Sequence, residues 1–361
     1  MKKNKVVVAM SGGVDSSVCA LLLKQKGYDV VGITTQIWQD ISYEKQLKEG
    51  GCCSIEAVHD ARRVADKIGI PYYVINLKQD FDDRVIKYFV NEYILGRTPN
   101  PCIVCNRDFR FKELLKKTME IDADFLATGH YAKVEYDTNN ERYIIKKSID
   151  THKDQSYFLY GLTQSQLKHI LFPLGYYTKA EIREIADREG LLVADKPDSQ
   201  DICFIDTNYH DFINERVPNK FRPGLFVDIN GNVLGKHKGI PFYTIGQRKG
   251  LGISAGKPLY VVNIDFDKNT IVLGEEQYLY VKEFIVFKMN WVAISDLTQT
   301  MKVNAKIRYN FSEKPAKIIP SNDDTVKVVF DEPQKAVTPG QAVVFYNDDI
   351  VIGGGIIKQK L

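Results

Sequence analysis

A glycine turn at residues 11–15, placed directly after a buried β-branched run, constrains this chain more than any other feature. Lys5-Val6-Val7-Val8-Ala9 reads as an interior strand, and Ser11-Gly12-Gly13-Val14-Asp15 follows it. From Ser16 to Lys26, Val18, Leu21 and Leu22 recur at helical spacing until Gly27 stops the pattern. The two glycines let the backbone turn sharply and bring its N–H groups close to a ligand. Ser16 and Ser17 add hydroxyl donors, and the helix start adds partial positive charge, so the corner suits a pyrophosphate. It lacks the Gly-Lys-Ser/Thr ending of a Walker A loop and the G-x-G-x-x-G of a dinucleotide site. The competing reading is an ordinary strand–turn–helix corner with a Ser or Asp cap.

The rest of roughly the first 200 residues repeats the strand–helix alternation. Asp29–Ile33, Tyr72–Ile75 and Phe125–Ala127 read as strands, and Ile55–Ile68 as a helix with Ala57, Val58, Ala61, Val64, Ala65 and Ile68 on one face. Strands separated by helices predict an α/β fold with a doubly wound parallel sheet. After Phe204 turn signals crowd together, as in Arg222-Pro223-Gly224 and Asn230-Gly231, and from Phe284 short strands recur at 303–309, 325–330, 342–346 and 350–357. The expectation is a nucleotide-binding domain over 1–208, a small central domain over 209–280 and a C-terminal β-barrel over 281–361.

The chain has 361 residues, 44% hydrophobic and 26% charged, which excludes disordered, collagen-like and disulfide-framework classes. Its longest apolar runs, such as Val6–Met10, are too short to span a bilayer. The basic N-terminus leads into a strand without a signal-peptide or transit pattern, so a cytoplasmic protein with no membrane partner is expected. Lys plus Arg number 49 against 46 Asp plus Glu, a net +3. A nucleic-acid partner would therefore be held by local patches.

Six cysteines in a reducing compartment point to thiol chemistry or metal binding rather than disulfides. Cys102 and Cys105 form a Cys-x-x-Cys in Thr98-Pro99-Asn100-Pro101-Cys102-Ile103-Val104-Cys105-Asn106, which reads as a proline-stiffened loop rather than a helix. A third thiol, Cys203, stands almost a hundred residues later in Asp198-Ser199-Gln200-Asp201-Ile202-Cys203-Phe204. No second Cys-x-x-Cys or His pair follows at zinc-ribbon spacing. Cys19 falls within a helical pattern as core packing, and adjacent Cys52 and Cys53 read as structural or incidental.

Ser11-Gly12-Gly13-Val14-Asp15-Ser16 resembles the PP-loop of the ATP pyrophosphatases. That loop, Asn100-Pro101-x-x-x-Cys105-Asn106, Ala127-Thr128-Gly129-His130-Tyr131, Lys153-Asp154-Gln155-Ser156-Tyr157, the Cys203 segment, Gly246-Gln247-Arg248-Lys249-Gly250 and Pro339-Gly340-Gln341 occur in the order seen in bacterial tRNA-specific 2-thiouridylases. The resemblance spans essentially the whole chain. It implies a PP-loop domain and an ATP-dependent sulfurtransferase acting on the wobble uridine of tRNA. Ala9, Met10, Ser11, Gly12, Gly13, Val14, Asp15 and Ser16 would hold the ATP phosphates, with Mg²⁺ accompanying them, and Thr35 and Gly129 would meet the adenosine.

By the same resemblance Cys203 carries a persulfide and Cys105 releases its sulfur through a transient disulfide. Cys102 stands where many members have an acidic residue proposed as general acid/base, so that role is not carried over. A second reading stays open: Cys102, Cys105 and Cys203 hold three irons of a 4Fe–4S cluster whose fourth iron binds sulfide. The resemblance assigns RNA contacts to Asn100, Pro101, His130, Lys153, Asp154, Gln155, Arg308, Tyr309 and Gln341, and implies a sulfur donor: a cysteine desulfurase, a sulfur-relay protein or free sulfide. Arg107, Arg110, Lys112, Lys302 and Lys306 are further basic candidates, although 281–361 holds only 11 basic against 9 acidic residues. Two other classes compete: a PP-loop ligase or amidotransferase on a small molecule, and a non-catalytic RNA-binding protein.

Overall fold

The computed structural model describes residues 3–37, 55–197, 202–205, 208–218, 221–321 and 324–361. Cys52, Cys53 and Asp198 to Asp201 lie outside the described residues. Two compact units are present: Met1–Val85, Cys102–Asp206 and Asp349–Val351 form one, and Ile86–Pro101, Thr207–Asp348 and Ile352–Leu361 the other.

The first unit begins with β1 (Lys5–Ala9), α1 (Val14–Gln25), β2 (Asp29–Gln36), α2 (Ile55–Ile68) and β3 (Tyr72–Asn76). After α3 (Pro101–Val104), a π-helical run (Cys105–Leu114) and α4 (Leu115–Glu120) come β4 (Phe125–Ala127), the hairpin β5 (Ala132–Asp137) and β6 (Arg142–Lys147), β7 (Ile170–Leu171) and α5 (Lys179–Arg188). The five-stranded sheet runs β3-β2-β1-β4-β7, with every pair parallel. Val6, Val7 and Val8 are all fully buried, because helices cover both faces of such a sheet. Val6 and Val8 share a core with Val18 and Leu22 of α1, Ala61 and Val64 of α2 and Ile182 and Ile185 of α5. Strand order departs in opposite directions on either side of β1 and β4. Their C-terminal ends therefore open a crevice at a topological switch point, where such sheets bind ligands.

In the second unit, β8 (Gly224–Val227), β9 (Val233–His237), β10 (Tyr260–Asp265) and β11 (Thr270–Gly274) form a sheet of order β10-β11-β8-β9 around Phe226, Val261 and Ile271. The chain then builds β12 (Tyr280–Trp291), β13 (Met301–Lys306), β14 (Lys314–Pro320), β15 (Val326–Lys335), β16 (Ala342–Asn347) and β17 (Ile350–Lys360). They pair in the order β12-β15-β14-β13-β16-β17, and β17 returns to β12, closing the expected barrel with six strands. On β13 Val303 and Ala305 are buried, while Lys302, Asn304 and Lys306 alternate outward.

Two local expectations are corrected. The Cys-x-x-Cys segment is helical from Pro101 onward: proline is accepted at a helix's first position, where no backbone donor is needed, so only 98–100 of it lie outside regular structure. Helix α1 begins at Val14, two residues early, so Val14 and Asp15 sit in its first turn instead of in the glycine turn.

Candidate active site

A cleft of about 740 Å³, counted with its open mouth, lies at the C-terminal ends of β1, β2 and β4. Ala9, Met10, Ser11, Asp15, Ser16, Thr35 and Gly129 line it, and so do Arg110, His130 and Gln155. The glycine turn is fitted closely to its neighbours. Gly12 has φ +71°, and a Cβ there would come within 2.3 Å of the Ala57 carbonyl oxygen, so only glycine fits. A Cβ on Gly129 would lie 2.8 Å from the Ser16 backbone nitrogen, so its absence lets the segment after β4 touch the start of α1.

Hydroxyls fix the turn's shape. Ser11 N–H donates to Ser16 Oγ at 3.1 Å, and Ser16 and Ser17 hydroxyls donate to the Gly13 carbonyl at 3.2 and 2.9 Å. Thr34 Oγ1 donates to the Met10 carbonyl at 2.6 Å and accepts from Tyr72 OH at 2.7 Å. Gly13 is the N-cap of α1, and no side chain caps that end. The first-turn N–H groups are thus presented to the cleft as an anion cradle.

Asp15 is the cleft's only carboxylate among the described lining residues. Its Oδ1 receives Lys179 Nζ at 2.7 Å and Tyr131 OH at 2.8 Å. Lys179, the buried first residue of α5, was invisible to motif reading. The Thr178–Glu181 capping box marks where that helix starts, but nothing in the sequence says which carboxylate the lysine meets.

His130 is buried, with Nδ1 2.6 Å from Thr128 Oγ1 and Nε2 3.3 Å from Arg110 Nη1. Burial, and secondarily the Arg110 guanidinium, hold its imidazole well below the usual pKa. Because a guanidinium only donates, Nε2 of the neutral ring accepts and Nδ1–H donates to Thr128. Arg110 Nη1 also donates to Asn106 Oδ1 at 3.3 Å, which ties the cleft to the run that begins at Cys105.

Cys102 is exposed, and Cys105 and Cys203 are half-buried. The rings of Phe109 and Phe204 each meet Phe81 edge-on, with centroids 5.2 and 5.8 Å away, so the residue after Cys203 docks through one phenylalanine onto the run that begins at Cys105. Among the described residues no group of three or more His, Cys, Asp or Glu is placed to hold a metal ion. Cys19 is wholly buried, and burial pushes its thiol pKa far up, as expected of core packing.

The remaining RNA candidates divide. Gln155 lines the cleft while its Oε1 accepts from Tyr131 N–H. Asp154 does not reach outward: it is buried and accepts from Ser148 N–H and Ser156 Oγ, shaping its own loop, while Lys153 beside it is half-buried. In the second unit Gln341 Nε2 donates to the carbonyls of Thr98 and Pro99, bracing the segment that leads to half-buried Asn100 and buried Pro101. Arg308 lies just beyond β13, where its guanidinium donates to the carbonyls of Lys335 and Ala336, and Lys306 lies over the Tyr309 ring at 5.3 Å.

Family models match nearly all of the chain. Residues 4–207 match the tRNA methyl transferase HUP domain, 210–275 the tRNA methyl transferase PRC-barrel domain and 281–357 the aminomethyltransferase beta-barrel domain. The tRNA-specific 2-thiouridylase MnmA 1 of Thermoanaerobacter sp. (strain X514) is 59% identical over 361 residues, covering 100% of this chain and 99% of that one. The chain belongs to the tRNA-specific 2-thiouridylase family. Another 2-thiouridylase, MnmA of Acetivibrio thermocellus, is 56% identical over 99% of this chain and 100% of its own. A U34-tRNA thiolase, NcsA from Methanococcus maripaludis, solved with its [4Fe-4S] cluster, matches 60% of this chain and 66% of that one at 20% identity and TM-score 0.35, too slight a likeness to carry a ligand across. No helix among the described residues is long and apolar enough to cross a membrane.

Proposed function

We propose that this chain is an ATP-dependent tRNA uridine 2-sulfurtransferase that exchanges the C2 oxygen of the wobble uridine for sulfur and releases AMP and pyrophosphate. The observation that carries the reading is a shared cleft. Arg110, on the run that begins at Cys105, lines the same crevice as the anion cradle of Ser11, Ser16 and Gly129. Full-length relatives named tRNA-specific 2-thiouridylase supply the substrate class.

The uracil O2 attacks the α-phosphorus, pyrophosphate leaves with the bridging electron pair, and the N3 proton passes to water. C2 then carries AMP as a leaving group. The terminal sulfur of a Cys203 persulfide adds at C2 and AMP departs. The Cys105 thiolate next attacks the Cys203 sulfur, expelling the 2-thiouracil and leaving a Cys105–Cys203 disulfide, which a thiol reductant resets. The sulfur arrives as the outer sulfur of a persulfide on a desulfurase or relay protein, which the Cys203 thiolate attacks, releasing the donor's thiol; free sulfide loads Cys203 only by attacking the Cys105–Cys203 disulfide, which expels the Cys105 thiolate and leaves the Cys203 persulfide. A tRNA substrate is consistent with work in the cytoplasm.

Mg²⁺ would travel with the phosphates. Asp15 is engaged by Lys179 and Tyr131, so the residues fit an ion held chiefly by phosphate and water. Among the described residues no group of three thiols is placed to hold a metal ion, and the reading rests on the persulfide pair. The test is 2-thiouridine analysis of tRNA incubated with the protein, ATP, Mg²⁺ and a desulfurase–cysteine system or sulfide. ATP-dependent 2-thiouridine is expected, and its absence with every donor overturns the reading.

A further inference from the structure

The cleft that must hold a polyanion has almost no positive charge of its own. The glycine loop contains no lysine. Lys179, the nearest cation to the loop's carboxylate, is committed to Asp15 at 2.7 Å. His130 is kept neutral by burial. Arg110 is the only lysine or arginine among the described residues that line the cleft. Its guanidinium is held on two sides by acceptors, Asn106 Oδ1 and His130 Nε2, each 3.3 Å from Nη1. Neutral His130 accepts there rather than competing as a cation. The guanidinium's orientation is fixed by the Nδ1–H bond that His130 makes to Thr128.

We propose that Arg110 is a catalytic residue of the adenylation step, its guanidinium stabilising the charge that builds on the α-phosphate as the uracil oxygen attacks and pyrophosphate leaves. The inference rests on the adenylation reading above. Charge at a five-coordinate α-phosphorus grows on its equatorial oxygens, and a fixed planar donor set meets it without reorganisation. The glycine cradle contributes neutral N–H groups, which bind the ground-state phosphates as well as the transition state. A preoriented cation at the reacting phosphorus acts mainly on the rate. Arg110 also explains why the cleft and the cysteine run share one helical element: the residue that senses the adenylate is five positions along from Cys105.

The experiment is tRNA-dependent ATP–pyrophosphate exchange, which reads adenylation without sulfur transfer. It is measured with the full-length protein, tRNA, ATP and Mg²⁺. Wild-type protein that exchanges only when tRNA is present upholds the reading on which the inference rests; a wild-type protein that never exchanges sinks that reading and leaves nothing for Arg110 to catalyse. With exchange established, Arg110→Ala is expected to lower its kcat by roughly 100-fold or more, with KM for ATP within about threefold of wild type. Arg110→Lys, which keeps the charge and the fold but not the fork, should fall in between. Exchange by Arg110→Lys and Arg110→Ala within about threefold of wild type would overturn the proposal. So would a loss confined to KM, or to thiolation with exchange intact, since Arg110 would then serve only to brace Asn106 against His130.

Discussion

Lys179 Nζ sits 2.7 Å from Asp15 Oδ1, so the one carboxylate among the described residues lining the cleft is neutralised by a lysine from 164 residues further along the chain. The pair is only partly buried, with 11% and 32% of the two side chains exposed. Removing the lysine leaves Asp15 charged against incoming phosphates. Lys179→Met is expected to raise KM for ATP by about tenfold, roughly 1–2 kcal/mol after solvent screening. The double variant Lys179→Met with Asp15→Asn should recover part of that loss. Pyrophosphate-exchange kinetics on the three proteins checks this; no recovery in the double variant would mean that the lysine acts on the nucleotide directly.

Gly129 touches the backbone of Asp15 and Ser16 so closely that a methyl group has no room. Gly129→Ala should push the segment after β4 away from α1 and weaken nucleotide binding by at least tenfold, while the unfolding free energy falls by only about 1–3 kcal/mol. Calorimetric titration with a non-hydrolysable ATP analogue, alongside urea unfolding, separates the two effects. Wild-type affinity in this variant would contradict the geometry described.

His130 gives a pH signature. The native imidazole stays neutral where the unfolded chain's histidine takes up a proton, so the unfolded state binds more protons as pH falls. Its contribution is present above the ordinary histidine pKa of about 6.5 and declines below it, by up to roughly 1.4 kcal/mol per pH unit. His210 and His237 are shifted the same way by burial, so the comparison must isolate one site. Urea unfolding between pH 7.5 and 5.5 should show a shallower acid slope for His130→Gln than for wild type. Equal slopes would remove His130 from the account.

Phe81 packs against Phe109, on the run that begins at Cys105, and against Phe204, the residue after Cys203, and so links the two segments of the proposed sulfur-transfer pair. Phe81→Ala should cost roughly 3–5 kcal/mol as a large-to-small core change. Its specific effect should appear in sulfur transfer. Phe81→Leu, which keeps most of the volume, is expected to slow thiolation several-fold while tRNA-dependent exchange stays near wild type. A variant that loses both activities equally would show that the contact serves the fold alone.

Much of this molecule was legible before any coordinates. Lys5–Ala9, Ile55–Ile68 and Phe125–Ala127 have the bounds the sequence predicts, because a fully buried strand and a one-faced helix advertise themselves by hydrophobic period. Four of the six barrel strands were recognisable from their turns: the starts at Ala342 and Ile350 hold and the other bounds shift, while Lys314–Pro320 was not foreseen. The hairpin Ala132–Lys147 was missed even though Ala132, Val134 and Tyr136 alternate with Lys133, Glu135 and Asp137, the period of a half-buried strand. The π-helical run escaped because two prolines argue for a loop, and no local propensity distinguishes a π-turn from an α-turn. Lys179 with Asp15, and Phe81 with Phe204, are long-range pairings that no spacing rule reports. Gln341 was singled out by its motif for RNA; the structure gives its amide to the carbonyls before Asn100, a partner visible only in three dimensions.

The central claim is that Cys105 and Cys203 act as a pair on one sulfur. It is tested most directly by a single turnover of persulfide-loaded protein with tRNA and ATP, without reductant, followed by non-reducing peptide mapping. The account predicts a Cys105–Cys203 disulfide formed in step with 2-thiouridine, unchanged in Cys102→Ala and absent from Cys105→Ser. Full yields of 2-thiouridine with no such linkage, or with Cys105→Ser as active as wild type, would contradict it.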